Sequence, residues 1–390
     1  LKVIHDFFRE KTEIETKYFS FSVGIKIGAA FGNIEWKIFD QALKNAYFFR
    51  GTAIKQCAKA ESLAKSNEII CHKGLLENTN FSKDFFVPLN QYFYKIDREI
   101  FNTIDESVAI KAEEKALPNN EKFISDAVLN FNQKAEFRNI VTIFIAFNEK
   151  SSTKNLNEFI PQIINKTSLY GGYFNKIDFG DKGGIALIIF GAPLSYENNI
   201  ERALDFVLDL QKDSKNILSF RATISFGMAY TGIVGNEDRC EYTAIGDVVN
   251  LDAKLTLKAK AEEILVTEKL YEKMKDAYVF SEKGLVNLKG KSEKIKVFQL
   301  HKKQKKSTKK IFEEKFFGRK EEKNKIIGIL ENSYISPNLC YIYGEAGIGK
   351  SRLIHEIKQN FLNEKGNDNI NWFHFLCENI LQNSFNPILY

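Results

Sequence analysis

Apolar positions in the middle of the chain follow two kinds of pattern. Residues 141–147 (VTIFIAF) and 185–190 (IALIIF) are short, nearly unbroken apolar runs, which predicts two strands buried on both faces. A helix is predicted between them over 159–169, and a second helix with one apolar face follows the second strand. That face consists of Ile200, Ala203, Leu204, Val207 and Leu210.

The pattern continues with a hairpin, a helix and a short apolar strand over 264–266. The predicted order is therefore β-α-β-β-α-β-β-α-β. This order is typical of a ferredoxin-like α+β fold with added elements. We predict one complete domain of this class over residues 136–300.

Part of this pattern occurs twice. Residues 51–77 align without a gap on residues 246–272, at an offset of 195 (246 − 51), and nine of the 27 aligned positions are identical. Upstream, 23–36 resembles 221–235 with a shift of four residues in a turn, and both stretches predict a β-hairpin. Chance similarity between two Lys/Ala-rich helices is the alternative, but the gapless agreement of helix, strand and helix favours a duplication. The first copy, residues 1–78, has only the second half of the domain, and we expect its opening strands upstream of residue 1.

The rest of the chain divides by composition. Residues 79–135 are predicted to be a polar, mostly helical connection, 301–315 a lysine-rich linker, and 316–390 the start of a third domain. The block 301–310 (HKKQKKSTKK) carries six lysines and no acidic residue, which equals the whole net charge of +6 (56 − 50). Because the remaining residues are balanced, we interpret the block as a solvated linker and predict no nucleic-acid partner.

Composition also limits the class of protein. Hydrophobic residues make up 44% and charged residues 27%, as in a folded soluble chain, and no apolar run approaches the roughly 18 residues of a membrane span. The first residue is Leu and no signal peptide follows, so we expect the chain to be a piece of a longer protein. The cysteines are odd in number and never spaced as CxxC, which argues against a disulfide framework or a zinc site and favours a reducing, cytoplasmic location. They are Cys57, Cys71, Cys240, Cys340 and Cys377.

A phosphate-binding motif lies near the end of the chain. Residues 344–351 read GEAGIGKS, between a predicted strand (339–343) and a predicted helix (352–360). In a G-x-x-x-x-G-K-S loop the backbone N–H groups around Gly344, Gly347 and Gly349 surround phosphate oxygens. Lys350 would reach the β- and γ-phosphates and Ser351 would bind Mg²⁺. We predict the N-terminal part of an α/β P-loop NTPase domain.

One segment identifies a family. Residues 241–254 (EYTAIGDVVNLDAK), preceded by 232–235 (GIVG), closely resemble the signature of class III nucleotidyl cyclases. Two tandem cyclase domains followed by a P-loop ATPase resemble, as a set, the soluble adenylyl cyclases. The region that begins at Phe317-Gly318-Arg319 resembles the AAA-like and STAND-type signalling ATPases. An unrelated ferredoxin-like regulatory domain is the alternative.

The resemblance implies an active site between two cyclase domains. One domain holds two Mg²⁺ or Mn²⁺ ions through two aspartates, and these positions fall here at about Phe147 and Gly184, which provide no carboxylate. The nearby Asp178 and Asp181 are interpreted as loop carboxylates. The metal ligands are therefore expected in the missing half of the first copy.

The other domain binds the nucleotide, and the resemblance gives the complete copy this role. Thr243 would accept a hydrogen bond from the adenine 6-amino group, Lys176 would donate to N1, and Ala244 would contribute its backbone. Asn250 would position the ribose. Lys254 replaces the family's transition-state arginine and keeps its charge but loses its planar fork.

In the first copy the corresponding helix has Lys55 and Lys59 at the positions of Asn250 and Lys254. These two lysines form either an exposed basic helix face or a site for a small anion or regulator. We hypothesise an adenylyl cyclase that converts ATP to cyclic AMP and pyrophosphate at a site formed by intramolecular pairing of the two domains, with an attached regulatory ATPase. The alternative is a pair of degenerate cyclase domains that act as nucleotide-sensing or docking modules of a STAND-type switch.

Overall fold

The computed structural model of the protein contains two compact units, residues 1–304 and 305–390. Each is described by itself. The residues that the structure describes are 4, 6–8, 12–41, 44–103, 120–129, 135–148, 151–180, 183–196, 198–236, 240–288, 294–304, 316–333, 336–343 and 349–365.

The first copy, together with the stretch that follows it up to residue 129, contains short strands, helices and turns of 3₁₀ helix at Lys83–Phe85, Arg98–Thr103 and Asn120–Phe123. Its elements are β1 (Glu13–Glu15), β2 (Ser20–Ser22), β3 (Lys26–Ala29), β4 (Glu35–Phe39), β5 (Ala46–Arg50), α1 (Thr52–Leu63), β6 (Glu68–His72), α2 (Lys73–Glu77), β7 (Phe86–Pro88), β8 (Phe93–Ile96) and α3 (Asp126–Leu129). Strands pair in the order β3-β6-β8-β7, while β1 pairs with β2 and β4 with β5.

The prediction of a mostly helical connection over 79–135 is wrong for its first part. Strand β8 pairs antiparallel with β6 and with β7, so the sheet of the first copy continues to Ile96. Apolar side chains of this stretch, among them Phe86, Ile96 and Phe101, pack with Ile69 in one core. The strands are short and bounded by polar residues, so their apolar pattern alone did not distinguish them from loop. Residues 104–119 and 130–134 lie outside the described residues.

The second copy has longer elements. They are β9 (Glu136–Phe147), α4 (Thr153–Leu169), β10 (Tyr173–Gly180), β11 (Gly183–Phe190), α5 (Asn199–Ser214), β12 (Phe220–Gly235), β13 (Cys240–Ile245), α6 (Asp247–Thr256), β14 (Ile264–Thr267), α7 (Glu268–Met274), β15 (Tyr278–Val286) and β16 (Ile295–Lys303). Up to β14 the observed order is the predicted β-α-β-β-α-β-β-α-β. Because β16 extends to Lys303, the predicted linker start at residue 301 is wrong, and Lys303 forms an ion pair with Asp205 at 2.5 Å.

The sheet of the second copy is covered on both faces. Its strands follow the order β10-β11-β9-β12-β14-β16-β15, with β13 also paired to β12, and β12 and β14 are parallel. Odd-numbered residues of β9, such as Ile143 and Ile145, pack with α4 and α5, whereas Ile140 packs on the opposite face with Val248 of α6. Double coverage explains why β9 and β11 read as unbroken apolar runs. The α+β class is confirmed.

The two copies share one pairing register at the constant offset of 195. The parallel pair Ile27–Ile69 corresponds to Ala222–Ile264, and the antiparallel pair Glu35–Arg50 corresponds to Tyr230–Ile245. The predicted shift of four residues in the upstream hairpin is therefore wrong. Alternating Gly and apolar residues allow several alignments of a hairpin, and the observed strand pairs select the offset of 195.

The β4–β5 hairpin of the first copy packs against β10 of the second. Phe39, Ala46 and Phe48 are buried in the main core of the second copy. The Phe48 ring lies 4.9 Å from that of Phe179. Arg50 donates to the backbone oxygen of Ser151 at 3.0 Å. The contact between the copies is thus an apolar core with polar bonds at its edge.

The second unit contains α8 (Lys320–Asn332) and α9 (Lys350–Lys365), and α9 agrees with the helix predicted over 352–360. The strand predicted over 339–343 is wrong. These residues form no strand, and Leu339 is 98% exposed, because the described part of this unit provides no neighbouring strand for pairing. Across the described ranges, no helix combines the length and apolar character that crossing a bilayer requires.

Candidate active site

Four of the predicted site residues line one cavity in the second copy. Lys176 of β10, Thr243 and Ala244 of β13, and Asn250 of α6 surround a volume of about 340 Å³. Three separate elements meet there because β13 and α6 lie on the same face of the sheet. The other lining residues are Phe144, Asp178, Ile185, Leu187, Val234, Glu241, Ile245, Val249 and Ala253.

The floor and mouth of the cavity differ in chemistry. Phe144 and Leu187 come from central strands and are apolar, which suits the flat faces of an aromatic ring. Thr243 is buried, at 8% exposure, and its hydroxyl is hydrogen-bonded to the side chain of Asn175. Lys176 and Glu241 lie at the exposed mouth, where their side chains are 42% and 50% exposed. The cavity is therefore apolar inside with a few fixed polar groups.

Two carboxylates accompany Lys176. Its Nζ lies 3.1 Å from Oε1 of Glu241 and 3.9 Å from Oδ2 of Asp178. Although the Asp178 side chain is 70% exposed, partial desolvation at the cavity wall raises its pKa above the usual value, and the charge of Glu241 adds to this while Lys176 opposes it. Asp178 belongs to strand β10, so the prediction that it lies in a loop is wrong, and Asp181 lies outside the described residues. An exposed pair such as Lys176–Glu241 contributes about 0–1 kcal/mol, so a ligand can displace it.

Helix α6 presents Asn250 to the cavity but not Lys254. The helix begins after Gly246, and the backbone N–H of Asn250 donates to the Gly246 oxygen at 3.1 Å. Lys254 lies one turn further along the same face and is not a lining residue of this cavity. Asn250 thus lines the cavity, and Lys254 lies one helical turn beyond it.

A buried carboxylate that the sequence analysis missed fixes α6 to the sheet. Asp252 is fully buried, and its two oxygens accept hydrogen bonds from Thr142 and Ser225, each at 3.0 Å. Burial raises its pKa to about 7, although the hydroxyl donors lower it. A signal was present, because Asp252 follows Val248 by four residues, the spacing of one helix face. An acidic residue on the apolar face of a helix indicates a buried polar contact.

The second residue that was missed belongs to the first copy. Nζ of Lys44 donates to the backbone oxygens of Phe174 (2.8 Å) and Asn175 (3.4 Å) and to the Tyr173 hydroxyl (3.1 Å). Burial lowers its pKa to about 8, while the charge of Glu241 raises it. No local pattern marks Lys44, since its partners lie about 130 positions away in sequence.

The two family positions for metal ligands are occupied by apolar structure. Phe147 is buried in the main core, with its ring 5.5 Å from that of Phe159. A Cβ atom added at Gly184 would lie 2.3 Å from the Phe147 ring, so no carboxylate fits there unless Phe147 moves. Within the described ranges, no group of three or more His, Cys, Asp or Glu side chains is placed to hold a metal ion. These residues do not fit the two-metal role.

The phosphate loop is described only in part. Gly344 and Gly347 lie outside the described residues. Gly349 has a φ of 92°, a conformation that favours glycine, and α9 begins at Lys350, followed by Ser351. Glycine immediately before a helix that opens with Lys-Ser is the arrangement that the motif predicted.

Part of the chain is similar to a known family of catalytic domains. Residues 180–302 match the model of the adenylate and guanylate cyclase catalytic domain. The chain is 22% identical over 280 residues to adenylate cyclase type 10 of Homo sapiens, which covers 60% of this chain and 17% of that protein. It is 29% identical over 116 residues to an adenylate cyclase of Mycobacterium tuberculosis, which covers 28% of this chain and 26% of that protein. Residues 180–302 are therefore similar to a nucleotidyl cyclase catalytic domain, and the chain spans about a sixth of the human relative.

Solved cyclase structures are also similar. The adenylyl cyclase CyaB from P. aeruginosa matches with 22% identity and a TM-score of 0.41, covering 44% of this chain and 98% of that chain. The guanylate cyclase domain of RhGC from Catenaria anguillulae, in complex with GTP, matches with 20% identity and a TM-score of 0.39, covering 44% of this chain and 100% of that chain.

Proposed function

We propose that the protein is an adenylyl cyclase in which the second copy supplies the nucleotide-binding half of the reaction centre. The observation that carries the proposal is the cavity that brings together Lys176, Thr243 and Asn250 from three elements. The match to a cyclase catalytic domain supports the reaction class. In that reaction the ribose 3′-oxygen loses its proton and attacks the α-phosphorus of ATP. The bond to the β-phosphate breaks, which gives cyclic AMP and pyrophosphate.

The cavity provides groups that suit adenine. The Thr243 hydroxyl oxygen can accept from the 6-amino group, and the Lys176 ammonium can donate to N1. Guanine presents a carbonyl and an N–H at these two positions, so both contacts would be mismatched. Each mismatched buried donor or acceptor costs about 1–3 kcal/mol, which favours ATP over GTP.

Asn250 and Lys254 are proposed to act on the ribose and the phosphates. Asn250 lines the cavity, and its amide can bond the ribose and orient it. Lys254 lies on the same face of α6 and would stabilise the charge that develops on the phosphates. An ammonium bonds phosphate oxygens less specifically than a guanidinium, so we expect a lower kcat than an arginine would give.

The metal-holding part of the centre is proposed to lie outside the described residues. Phe147 and Gly184 do not fit metal ions, so the Mg²⁺ or Mn²⁺ that cyclases generally use needs carboxylates from a partner domain. We propose that the missing half of the first copy provides them through intramolecular pairing. The packing of the β4–β5 hairpin on β10 supports this pairing.

The remaining parts are proposed to be regulatory. The loop from Gly344 to Ser351 would bind ATP and Mg²⁺ in a STAND-type ATPase domain that controls the cyclase. We propose a cytoplasmic protein with no nucleic-acid partner and no membrane span. A small anion or a regulatory protein is proposed as a further partner, bound at Lys55 and Lys59.

The test is turnover of ATP by the complete protein with Mg²⁺ or Mn²⁺. Asn250→Ala should lower kcat by about 10²-fold, since the ribose would no longer be held for attack. Asn157→Ala removes the same side chain from an exposed position of α4, where its Oδ1 accepts a hydrogen bond from Nζ of Lys37, and should leave turnover unchanged. Equal turnover by the wild type and Asn250→Ala would contradict the assignment.

A second candidate function is a nucleotide sensor without catalysis. Phe147 packed against Gly184, and lysine at position 254, favour it because both depart from the catalytic pattern. The same experiment separates the two. A sensor would bind ATP with an affinity that depends on Asn250 and would release no cyclic AMP or pyrophosphate.

A further inference from the structure

A bulge in β10 lies directly beside the proposed base-binding groups. The ladder with β11 passes from Phe174–Ile188 to Lys176–Leu187, so Asn175 is an extra residue in its strand. Asn175 is buried, at 8% exposure, and lies behind Thr243 rather than on the cavity wall. Bulges redirect side chains next to functional sites, and here the bulge turns the Asn175 side chain toward β13.

The orientation of the Asn175 amide is fixed by its first hydrogen bond. Its Nδ2 donates to the backbone oxygen of Tyr242 at 2.7 Å. A carbonyl oxygen only accepts, so the reverse orientation would place two acceptors against each other. Oδ1 of Asn175 must therefore face the other way, and it accepts from the Thr243 hydroxyl at 3.3 Å.

This bond determines the polarity of Thr243 toward the cavity. A hydroxyl has one hydrogen and two lone pairs. Because the hydrogen of Thr243 is committed to Asn175, only lone pairs of Oγ1 are left to face a ligand. Thr243 then acts as an acceptor, which matches the 6-amino group of adenine and opposes the 6-carbonyl of guanine or hypoxanthine.

We propose that Asn175 is the positioning residue that sets the purine preference of the site, by holding the Thr243 hydroxyl as an acceptor. This inference rests on the proposed nucleotide-binding role of the cavity. It assigns the selectivity to a side chain that does not touch the base. Without Asn175, the hydroxyl rotates and donates to a 6-carbonyl as readily as it accepts from a 6-amino group.

The experiment compares ATP with inosine triphosphate in the complete protein. Inosine triphosphate has a 6-carbonyl and an N1–H but no 2-amino group, so it isolates the polarity of the 6-position and N1. Two readouts are taken: the kcat/KM ratio for the two nucleotides, and their equilibrium competition against a fluorescent ATP analogue. Asn175→Ala should reduce the preference for ATP about tenfold in both readouts, the size of one lost hydrogen-bond discrimination.

Three further variants separate this role from a structural one. Thr243→Val should lose a similar factor, and adding Asn175→Ala to it should cause no further loss, since Asn175 acts through the hydroxyl. Asn175→Leu retains the side-chain volume but has no acceptor for Thr243, so it should lose the preference for ATP as Asn175→Ala does, whereas a purely packing role would leave the preference intact. The matched control is Asn155→Ala, since Asn155 also donates from Nδ2 to a backbone oxygen at 2.7 Å, that of Ile217, and it is not a lining residue of the cavity.

The outcomes are distinct from those of the cyclase assay. An unchanged ATP preference in an Asn175→Ala variant that melts like the wild type would overturn the inference, as would additive losses in the double variant. Binding that prefers ATP and depends on Asn175, without any cyclic product, would support the inference while contradicting the proposed cyclase function.

Discussion

The two copies have the same strand ladder but expose opposite surfaces of their β-hairpins. On one hairpin face, Trp36, Tyr47 and Phe49 of the first copy are 63%, 49% and 48% exposed, whereas the corresponding Thr231, Tyr242 and Ala244 are 0%, 4% and 5% exposed. The second copy covers this face with its own β10 and β11, where Tyr173 lies 5.3 Å from Tyr242, ring to ring. Backbone pairing therefore specifies the ladder, and the neighbouring half-domain determines which residues become a core.

The same comparison explains why only one of two related positions forms a polar cavity. Phe48 corresponds to Thr243, and it is buried against Phe179 instead of lining an open volume. Lys55 and Lys59 correspond to Asn250 and Lys254, so the helix of the first copy lacks the amide as well. Sequence divergence at equivalent sites has made one copy a packing surface and left an open cavity in the other.

The largest effect is expected from removing the Phe48 side chain, which tests whether this residue packs the two copies together. Phe48→Ala should destabilise the protein by about 3–5 kcal/mol, because it removes a fully buried ring from the contact between the copies. Phe49→Ala, one residue further along the strand and about half exposed, is the matched control and should cost much less. The urea midpoint, followed by the fluorescence of Trp36 in the neighbouring strand, measures both. Equal shifts would show that the contact does not depend on Phe48.

An intermediate effect concerns how each helix is attached to its sheet. Asp252 corresponds to Cys57, whose thiol donates to the Gly28 oxygen at 3.0 Å, and burial raises the pKa of that thiol. In the first copy the helix thus approaches the strand closely at a glycine. In the second, Thr223 replaces Gly28 and a buried carboxylate with its hydroxyl donors bridges the gap.

The attachment through Asp252 predicts a pH dependence of stability. Its folded pKa of about 7 is raised above the usual 3.8, so the folded state binds the proton more tightly. The resulting stability is fully present below about pH 3.8 and is lost as the pH rises through 7. Relative to Asp252→Asn, the wild type should lose roughly 1.4 kcal/mol per pH unit between pH 5 and 7. Urea midpoints of both proteins at several pH values measure this difference, and parallel curves would contradict it.

The smallest effect is expected at the mouth of the cavity. Glu241 corresponds to the buried Ala46, so the ion pair with Lys176 has no counterpart at that position of the first copy. Glu241→Gln should change stability by less than about 1 kcal/mol, because both side chains are exposed. It should also lower the KM for ATP, since Lys176 would no longer be shared with a competing carboxylate. A large stability loss, or a raised KM, would show that Glu241 supports the site instead of competing for it.

Sequence patterns correctly predicted the strands and helices that are buried evenly along their length. The apolar runs of β9 and β11 and the apolar face of α5 occur where they were expected, because burial on both faces leaves a strong local signal. The patterns failed for β7 and β8, which are short strands at the edge of a small sheet, and for 339–343, an apolar stretch for which the described residues of its unit provide no neighbouring strand.

The candidate site likewise contains some residues that the sequence predicted and others that it did not. Lys176, Thr243, Ala244 and Asn250 were predicted from motif positions, and the structure places them around one cavity. Asn175 and Lys44 were not predicted, because their roles depend on partners that are distant in the chain. Asp252 carried a helical signal, but its hydroxyl partners come from two strands.

By itself the sequence determined which strands and helices form in the second copy, that a segment of it recurs 195 residues apart, and which side chains have the chemistry to bind a purine nucleotide. These are properties of local order and residue type. The tertiary structure decided which hairpin face is buried, that Phe147 fills the space beside Gly184, and which way the Thr243 hydroxyl points. Those features depend on packing and hydrogen bonds between distant segments, and only the folded chain brings such segments together.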